Sequence, residues 1–573
     1  MEAVPSPDPR APSLAQDPAL ALDRRAKLEI LGAILLALFL GALDQTIVGV
    51  ALPRIVTDLG GNELYTWAVT IYLLTSTITV PFYGKLSDLY GRRPLLMIGI
   101  TLFLVGSALS GLSQNMAQLI AFRGVQGIGA GALFPIALAV IGDLFSPAER
   151  GKYQGLFGAV FGLSSLVGPA LGGLITDTVG WHWIFYVNIP IGIVSLYVIW
   201  RLLPTVRRPD ASRNLDYAGA AVFAVAIGFL LVGLTNKGLE DEVTHQIHAW
   251  SDPVVGGFIG IGLALGALFL LIETRAKEPI VPIDLWRNRT YASSIVATFF
   301  VSFGFFGAII FLPRWFQFVR EASATESGYQ ALPLLAGLII SSIVGGILVS
   351  RTGRYKPIIL AGLAIMGVGL LLMTNLRADT DLPVLWLWMF ITGVGIGPTL
   401  SVFTIVVQNA VPFDKLGVAT SNLTFFRQIG GSVGLAIVGT IFGTSLQEEL
   451  PRRLSANGIP QQAVKQFPTS PTALDNVVGV GVDLGAAILA GVPESVRPLV
   501  EPLIPSIVDA LRDAFSLAIA GTFTIGVGAT MVAFAAALLM RELPLRTTTG
   551  PGPAREAARG GVGAERRASE QPG

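Results

Sequence analysis

The stretch PFYGKLSDLYGRRPLLMIG (residues 81–99) places two glycines, a carboxylate and two arginines between apolar runs, and its pattern returns at VGGILVSRTGRYKPIILAG (344–362). At matching offsets both carry Gly-x-Leu/Ile, a basic cluster and a proline ahead of the next apolar run. If residues 204–289 are an insertion, this repeat divides the rest into a first unit over 28–203 and a second over 290–541. Two six-helix halves related by pseudo-symmetry are a transporter signature, with substrate held near mid-membrane between them.

Working outward, the chain of 573 residues is 52% hydrophobic and only 13% charged, with a mean hydropathy of +0.66. That composition fits a polytopic membrane protein and not a soluble one. A bilayer crossing needs roughly 20 apolar residues. The sequence offers such runs at 28–51, 65–83, 94–112, 116–140, 153–175, 183–203, 215–235, 253–273, 290–312, 328–350, 357–374, 384–407, 418–446 and 514–541. They are continuous instead of alternating, which predicts helices over a β-barrel and an all-α fold of fourteen transmembrane helices. Arg92, Arg93, Arg150, Lys152, Arg207, Arg208, Arg275, Arg351 and Arg354 fall after even-numbered runs. The positive-inside rule then makes both termini cytoplasmic. Residues 1–27 read as a cytoplasmic tail before an uncleaved first span, and 542–573 as a disordered one.

A net charge of +1 gives no case for nucleic-acid binding. With no cysteine, disulfides, thiolate catalysis and Cys-ligated metals are excluded. No phosphate-cradling loop, zinc-protease helix or nucleophile elbow is present, so no catalytic site, metal or cofactor is expected and an ion gradient is the remaining energy source. The connection over 447–513 breaks the run of short loops and reads as extracytoplasmic. Its end has Val500, Leu503, Ile504, Ile507, Val508 and Leu511 at helical spacing, which predicts a surface or interfacial helix.

Charges inside the apolar runs mark function. Asp44 stands within LGALDQTIVGVALP (40–53), Arg123 within RGVQGIGAG (123–131) and Arg427 within FFRQIGGSVGLAIVG (425–439). A charge at the centre of a spanning helix costs roughly 2.5–3.5 kcal/mol on insertion scales, so each should face the interior. Low dielectric favours a neutral carboxyl group while a nearby guanidinium favours the ionised one, and such opposed terms suit a group that takes up and releases protons. Asp44 is the expected coupling site, tuned by Arg123, with Gln126 one turn away. At the cytoplasmic end, Asp88 can accept hydrogen bonds from a helix N-terminus and Arg92 can pair with Asp143, while Gly84 and Gly91 permit a tight connection.

Together GKLSDLYGRR (84–93), RGVQGIGAG, GPALGG (168–173) and LDQTIVGVALP (43–53) resemble the fourteen-helix drug:proton antiporter branch of the major facilitator superfamily, over residues 28–446 and again in the last span. The resemblance implies two six-helix bundles plus two inserted helices, a cytoplasmic gate formed by Gly84, Asp88, Gly91, Arg92 and Asp143, and proton transfer involving Arg123. It also implies a sealed helix interface at Gly168, Pro169, Gly172 and Gly173, and a cavity role for Arg427 and Gln428. The chain departs from the pattern at Leu89, where arginine is usual, at Gly49, where asparagine is common, at Ser164 in place of glycine and at His182, where arginine is commoner. His182 reads as an interfacial group and not as a proton relay. No carboxylate lies in the middle of the last six spans, which leaves neutral or anionic amphiphiles open as substrates. The expected function is export of amphiphilic small molecules across a bacterial plasma membrane in exchange for protons. The alternatives are a lipid exporter working with an extracytoplasmic partner through 447–513, and a proton symporter.

Overall fold

A computed structural model describes residues 22–60, 64–145, 147–204, 216–237, 248–276, 278–461, 464, 467, 484–491 and 497–545. Fourteen long helices organise them: α1 (Arg24–Leu59), α2 (Tyr65–Tyr90), α3 (Arg92–Gly111), α4 (Met116–Leu144), α5 (Pro147–Thr178), α6 (Trp183–Leu202), α7 (Tyr217–Asn236), α8 (Pro253–Glu273), α9 (Arg289–Val319), α10 (Leu332–Thr352), α11 (Lys356–Met373), α12 (Leu382–Ala410), α13 (Leu416–Ala456) and α14 (Ile504–Leu538). Thirteen are long and apolar enough to cross a membrane. The other, α2, is rich in threonine and lies between α4 and α13, so its polar groups need not meet lipid; Thr75 and Thr79 return their hydroxyls to carbonyls of their own helix.

Local chemistry sets the breaks. Asp23 accepts from the Ala26 N–H at the start of α1, and Asn115 from the Gln118 N–H at the start of α4. Between α2 and α3 the chain turns on Gly91 at φ +95°, a conformation that a side chain would oppose.

The sequence repeat reappears as repeated packing. In the first half α1 lies against α5 and α6, and α4 against α2 and α3. The second half matches it helix for helix, with α9 against α13 and α14, and α12 against α10 and α11. The halves meet reciprocally, since α2 packs on α13 while α10 packs on α5. At the α5–α10 crossing a Cβ on either Gly151 or Gly346 would collide with the other's carbonyl oxygen, so the two backbones touch directly. Helices in lipid gain little from apolar burial against one another, and this close approach supplies dispersion contact instead.

Of the inserted pair, α7 packs on α2 and α13 across the seam, and α8 packs on α7. Phe223 of α7 meets Phe82 and Phe425 with ring centroids 5.6 and 5.3 Å away. At the last residue of α8 the Glu273 carboxylate accepts the backbone N–H groups of Ile280 (3.0 Å) and Val281 (3.3 Å), turning the chain back towards α9.

One expectation is corrected. Ile504, Ile507, Val508 and Leu511 do not form a separate surface helix; they open α14, which runs unbroken for 35 residues because its first proline, Pro505, sits where no N–H is needed. Likewise α13 continues past residue 446 to Ala456. Leu450, Leu454, Leu484, Ile488, Ile507 and Leu511 join the core of the second half, so much of the described part of 447–513 is built into that bundle.

Candidate functional site

Asp44 lies midway along α1 and is fully buried, as are Arg123 and Gln126 of α4. Arg123 Nη1 donates to Asp44 Oδ2 and, at 2.9 Å, to Gln126 Oε1. Gln126 Nε2 in turn donates to Asp44 Oδ1 at 2.8 Å, closing a ring of three side chains. The helical spacing of Arg123 and Gln126 puts both on the face turned to α1.

Three residues that sequence reasoning did not single out complete the site. Asn188, near the start of α6, donates to Asp44 Oδ1 (3.4 Å) and to Ser107 Oγ of α3 (3.0 Å). Tyr72 of α2 sits beneath the guanidinium, its ring centroid 4.3 Å from Arg123 Cζ, and sends its hydroxyl to the Gly41 carbonyl. Arg123 Nε donates to the Ala68 carbonyl at 3.3 Å. An asparagine at the head of an otherwise apolar run was the available signal for Asn188. Ser107 and Tyr72 have none, since serine and tyrosine are ordinary in such helices.

The pair is electrically neutral, and each charge keeps hydrogen bonds beyond its partner. That is the condition under which a buried ion pair is tolerated. Adding a proton to Asp44 cancels its charge while Arg123 retains Gln126, the Ala68 carbonyl and the Tyr72 face.

A second cluster occupies one end of the molecule, the Arg92 end. Arg92 donates from Nε to Asp143 Oδ2 (3.0 Å) and pairs through Nη1 with Asp88 Oδ1 (2.6 Å). Asp88 then crosses to the other half, where its carboxylate accepts the N–H groups of Gly417 (3.0 Å) and Val418 (2.8 Å) at the first turn of α13. It thus meets the positive pole of that helix. Gly84 has no room for a Cβ, which would strike Ser421. Nearby, Gln408 of α12 bonds Gln154 of α5 and the Leu138 carbonyl of α4, both at 3.0 Å. These links hold the halves together at the Arg92 end.

On α5, a Cβ at Gly168 would strike Thr46 and one at Gly172 would press on Ile47, so α1 rests on these two glycines. Gly173 differs from expectation, with nothing within 4 Å of where a Cβ would stand. It faces away from α1, being neither three nor four residues from Gly172. Pro169 lies inside the continuous α5. His182 is exposed and stacks on Trp181, 3.7 Å between centroids. Arg427 and Gln428 lie on α13, apart from the Asp44 ring; Arg427 Nη2 and Gln428 Oε1 are buried without hydrogen-bond partners.

The sequence profile described as the Major Facilitator Superfamily matches residues 34–435. The multidrug transporter protein MdtP of Bacillus subtilis is 41% identical over 438 residues, covering 76% of this chain and 79% of its own. Multidrug resistance protein 3 of the same organism is 36% identical over 425 residues, covering 74% and 81%. Among solved structures, a bacterial homologue of the human lysosomal transporter Spinster, in an inward-facing and unoccupied conformation, aligns with a TM-score of 0.54 at 15% identity, covering 91% of this chain and 98% of that one. The last likeness is one of fold.

Proposed function

Because the chain belongs to the major facilitator superfamily and its relatives include multidrug transporters, we propose that it is an efflux antiporter that exports amphiphilic small molecules and takes protons in return. The observation that carries this reading is the sealed ring of Asp44, Arg123 and Gln126. It holds a carboxylate inside the first half, bonded by one guanidinium and two side-chain amides.

In this scheme Asp44 accepts a proton when its side of the membrane is open, and the lost ion pair frees Arg123 to lean on Gln126 and Tyr72. Arg123 lies two turns inside α4, about 10 Å from its start. The proton site is therefore nearer the end opposite Arg92, which the positive-inside rule assigns to the exterior. The links from Asp88 to α13 and from Gln408 to α4 and α5 keep the Arg92 end shut meanwhile. Loss of the Asp88–Arg92–Asp143 cluster and closure at the other end would present the site to the cytoplasm, where the proton leaves and substrate enters.

The test uses proteoliposomes with an imposed pH gradient and a panel of cationic, neutral and anionic amphiphiles. Amphiphile-triggered proton movement is expected in the parent protein and near background in Asp44→Asn. Full proton-driven transport by that variant would remove Asp44 from the coupling role.

A further inference from the structure

Arg427 is the eleventh residue beyond Leu416 along α13, which places it about 16 Å into that helix. That is close to half the roughly 30 Å thickness of a bilayer's hydrocarbon core, too deep for its side chain to reach a headgroup. Its direction is inward. On the helical wheel Arg427 falls between Gly430 and Gly434 on one side and Gly431 on the other. A Cβ at Gly430 would strike the Phe299 carbonyl, one at Gly434 the Cα and ring of Phe303, and one at Gly431 the ring of Phe306, so this face of α13 lies against α9 where these three phenylalanines sit.

Yet the guanidinium has no counter-charge. Among the described residues it makes no hydrogen bond, ion pair or aromatic stacking contact, and its Nη2 is shut from solvent. No aspartate or glutamate occurs along α9, α10, α11 or α12, and the acids of α13 and α14 lie near the ends that meet 447–513. The next residue, Gln428, has an amide oxygen that is also buried and unpartnered. A guanidinium held this way is a vacant half of a salt bridge, and its planar fork matches the two oxygens of a carboxylate or the edge of a sulfonate or phosphate.

We propose that Arg427 is the anion-recognition point of the transported substrate, which is an amphiphile with an acidic head and an apolar, preferably aromatic, body laid against Phe299, Phe303 and Phe306. Gln428 accepts from a hydroxyl or amide donor on the same molecule. This deepens the efflux reading and rests on it for the word transported, while the binding site stands on the geometry of α9 and α13.

The test compares three probes with one body and different heads: pyrenebutyrate, pyrenebutyramide and pyrenebutylamine. Fluorescence titration of the purified full chain should show pyrenebutyrate bound roughly 10- to 100-fold more tightly than pyrenebutylamine, the ratio expected when a charged hydrogen bond is made instead of opposed. Arg427→Gln should weaken pyrenebutyrate by a similar factor and leave pyrenebutyramide unchanged; Arg427→Lys should retain part of the preference. Equal or tighter binding of the amine by the parent chain overturns the proposal without needing any variant. So does pyrenebutyrate binding that Arg427→Gln leaves intact. Proton movement in proteoliposomes separates the two readings. If pyrenebutyrate binds through Arg427 but triggers no proton movement, the site stands and proton coupling falls. If only the amine drives protons, transport stands and the acidic substrate falls.

Discussion

The two halves share one helix arrangement but treat buried charge in opposite ways. In the first, the guanidinium of Arg123 meets the Asp44 carboxylate, Gln126, a carbonyl and a tyrosine ring, and the two charges are paired within the protein. In the second, Arg427 has no answering group among the described residues. In the proposed scheme a charge pair closed within the protein needs only a proton to change its state. One that lacks its counter-charge calls for something larger from outside. Duplicated architecture can therefore divide labour by placing a carboxylate in one half and withholding it from the other.

The sharpest way to break this comparison is to delete each arginine in turn and read thermal stability in detergent. Arg123→Gln leaves an unpaired carboxylate in a sealed site, which typically costs roughly 3–5 kcal/mol. Its melting temperature should fall by many degrees, and adding Asp44→Asn should restore much of it. Arg427→Gln removes a charge with no partner to lose, so stability should hold or rise. Equal losses from the two would show that Arg427 is satisfied after all.

Next in size is the contact at the Arg92 end. The chain has no cysteine, so a single introduced thiol reports without background. Ser421→Cys, buried against Gly84, should label slowly in the parent and about tenfold faster with Asp88→Asn, because each hydrogen bond to a charged group is worth roughly 1.5–3 kcal/mol. The smallest contrast lies within α5. Gly168→Ala should destabilise by about 1–3 kcal/mol through collision with Thr46, while Gly173→Ala should stay within about 0.5 kcal/mol. Thermal melts of the two variants check this pair.

How much of this was legible in the chain follows from chemistry. Spanning helices announce themselves because lipid demands about 20 apolar residues together, and a charge inside one stands out against that background. Hence Asp44, Arg123 and Arg427 could be picked out unaided. What the order of residues does not display is the answering group. Asp88 finds its backbone donors 329 and 330 positions away. Tyr72 and Ser107 are too ordinary to signal the ring they support. The segment from Val500 to Leu511 misled for a related reason: six apolar residues at helical spacing look alike whether they lie on a membrane surface or continue into the next span. Gly173 shows the same limit, since a glycine motif records which residues are small but not which of them a neighbouring helix touches.

At the α5–α10 crossing, Gly151 and Gly346 meet backbone to backbone, with α10 side chains such as Ile343 and Ile339 seated on further glycines of α5. In the proposed alternating scheme, a methyl group added to either would act as a wedge only while the Arg92 end is closed. It would raise the energy of that orientation alone and leave both charged centres chemically intact. Each 1.4 kcal/mol of such steric push moves the resting population about tenfold. Gly346→Ala is thus a lever on the balance between orientations, and how far it moves the protein measures how nearly that balance is poised.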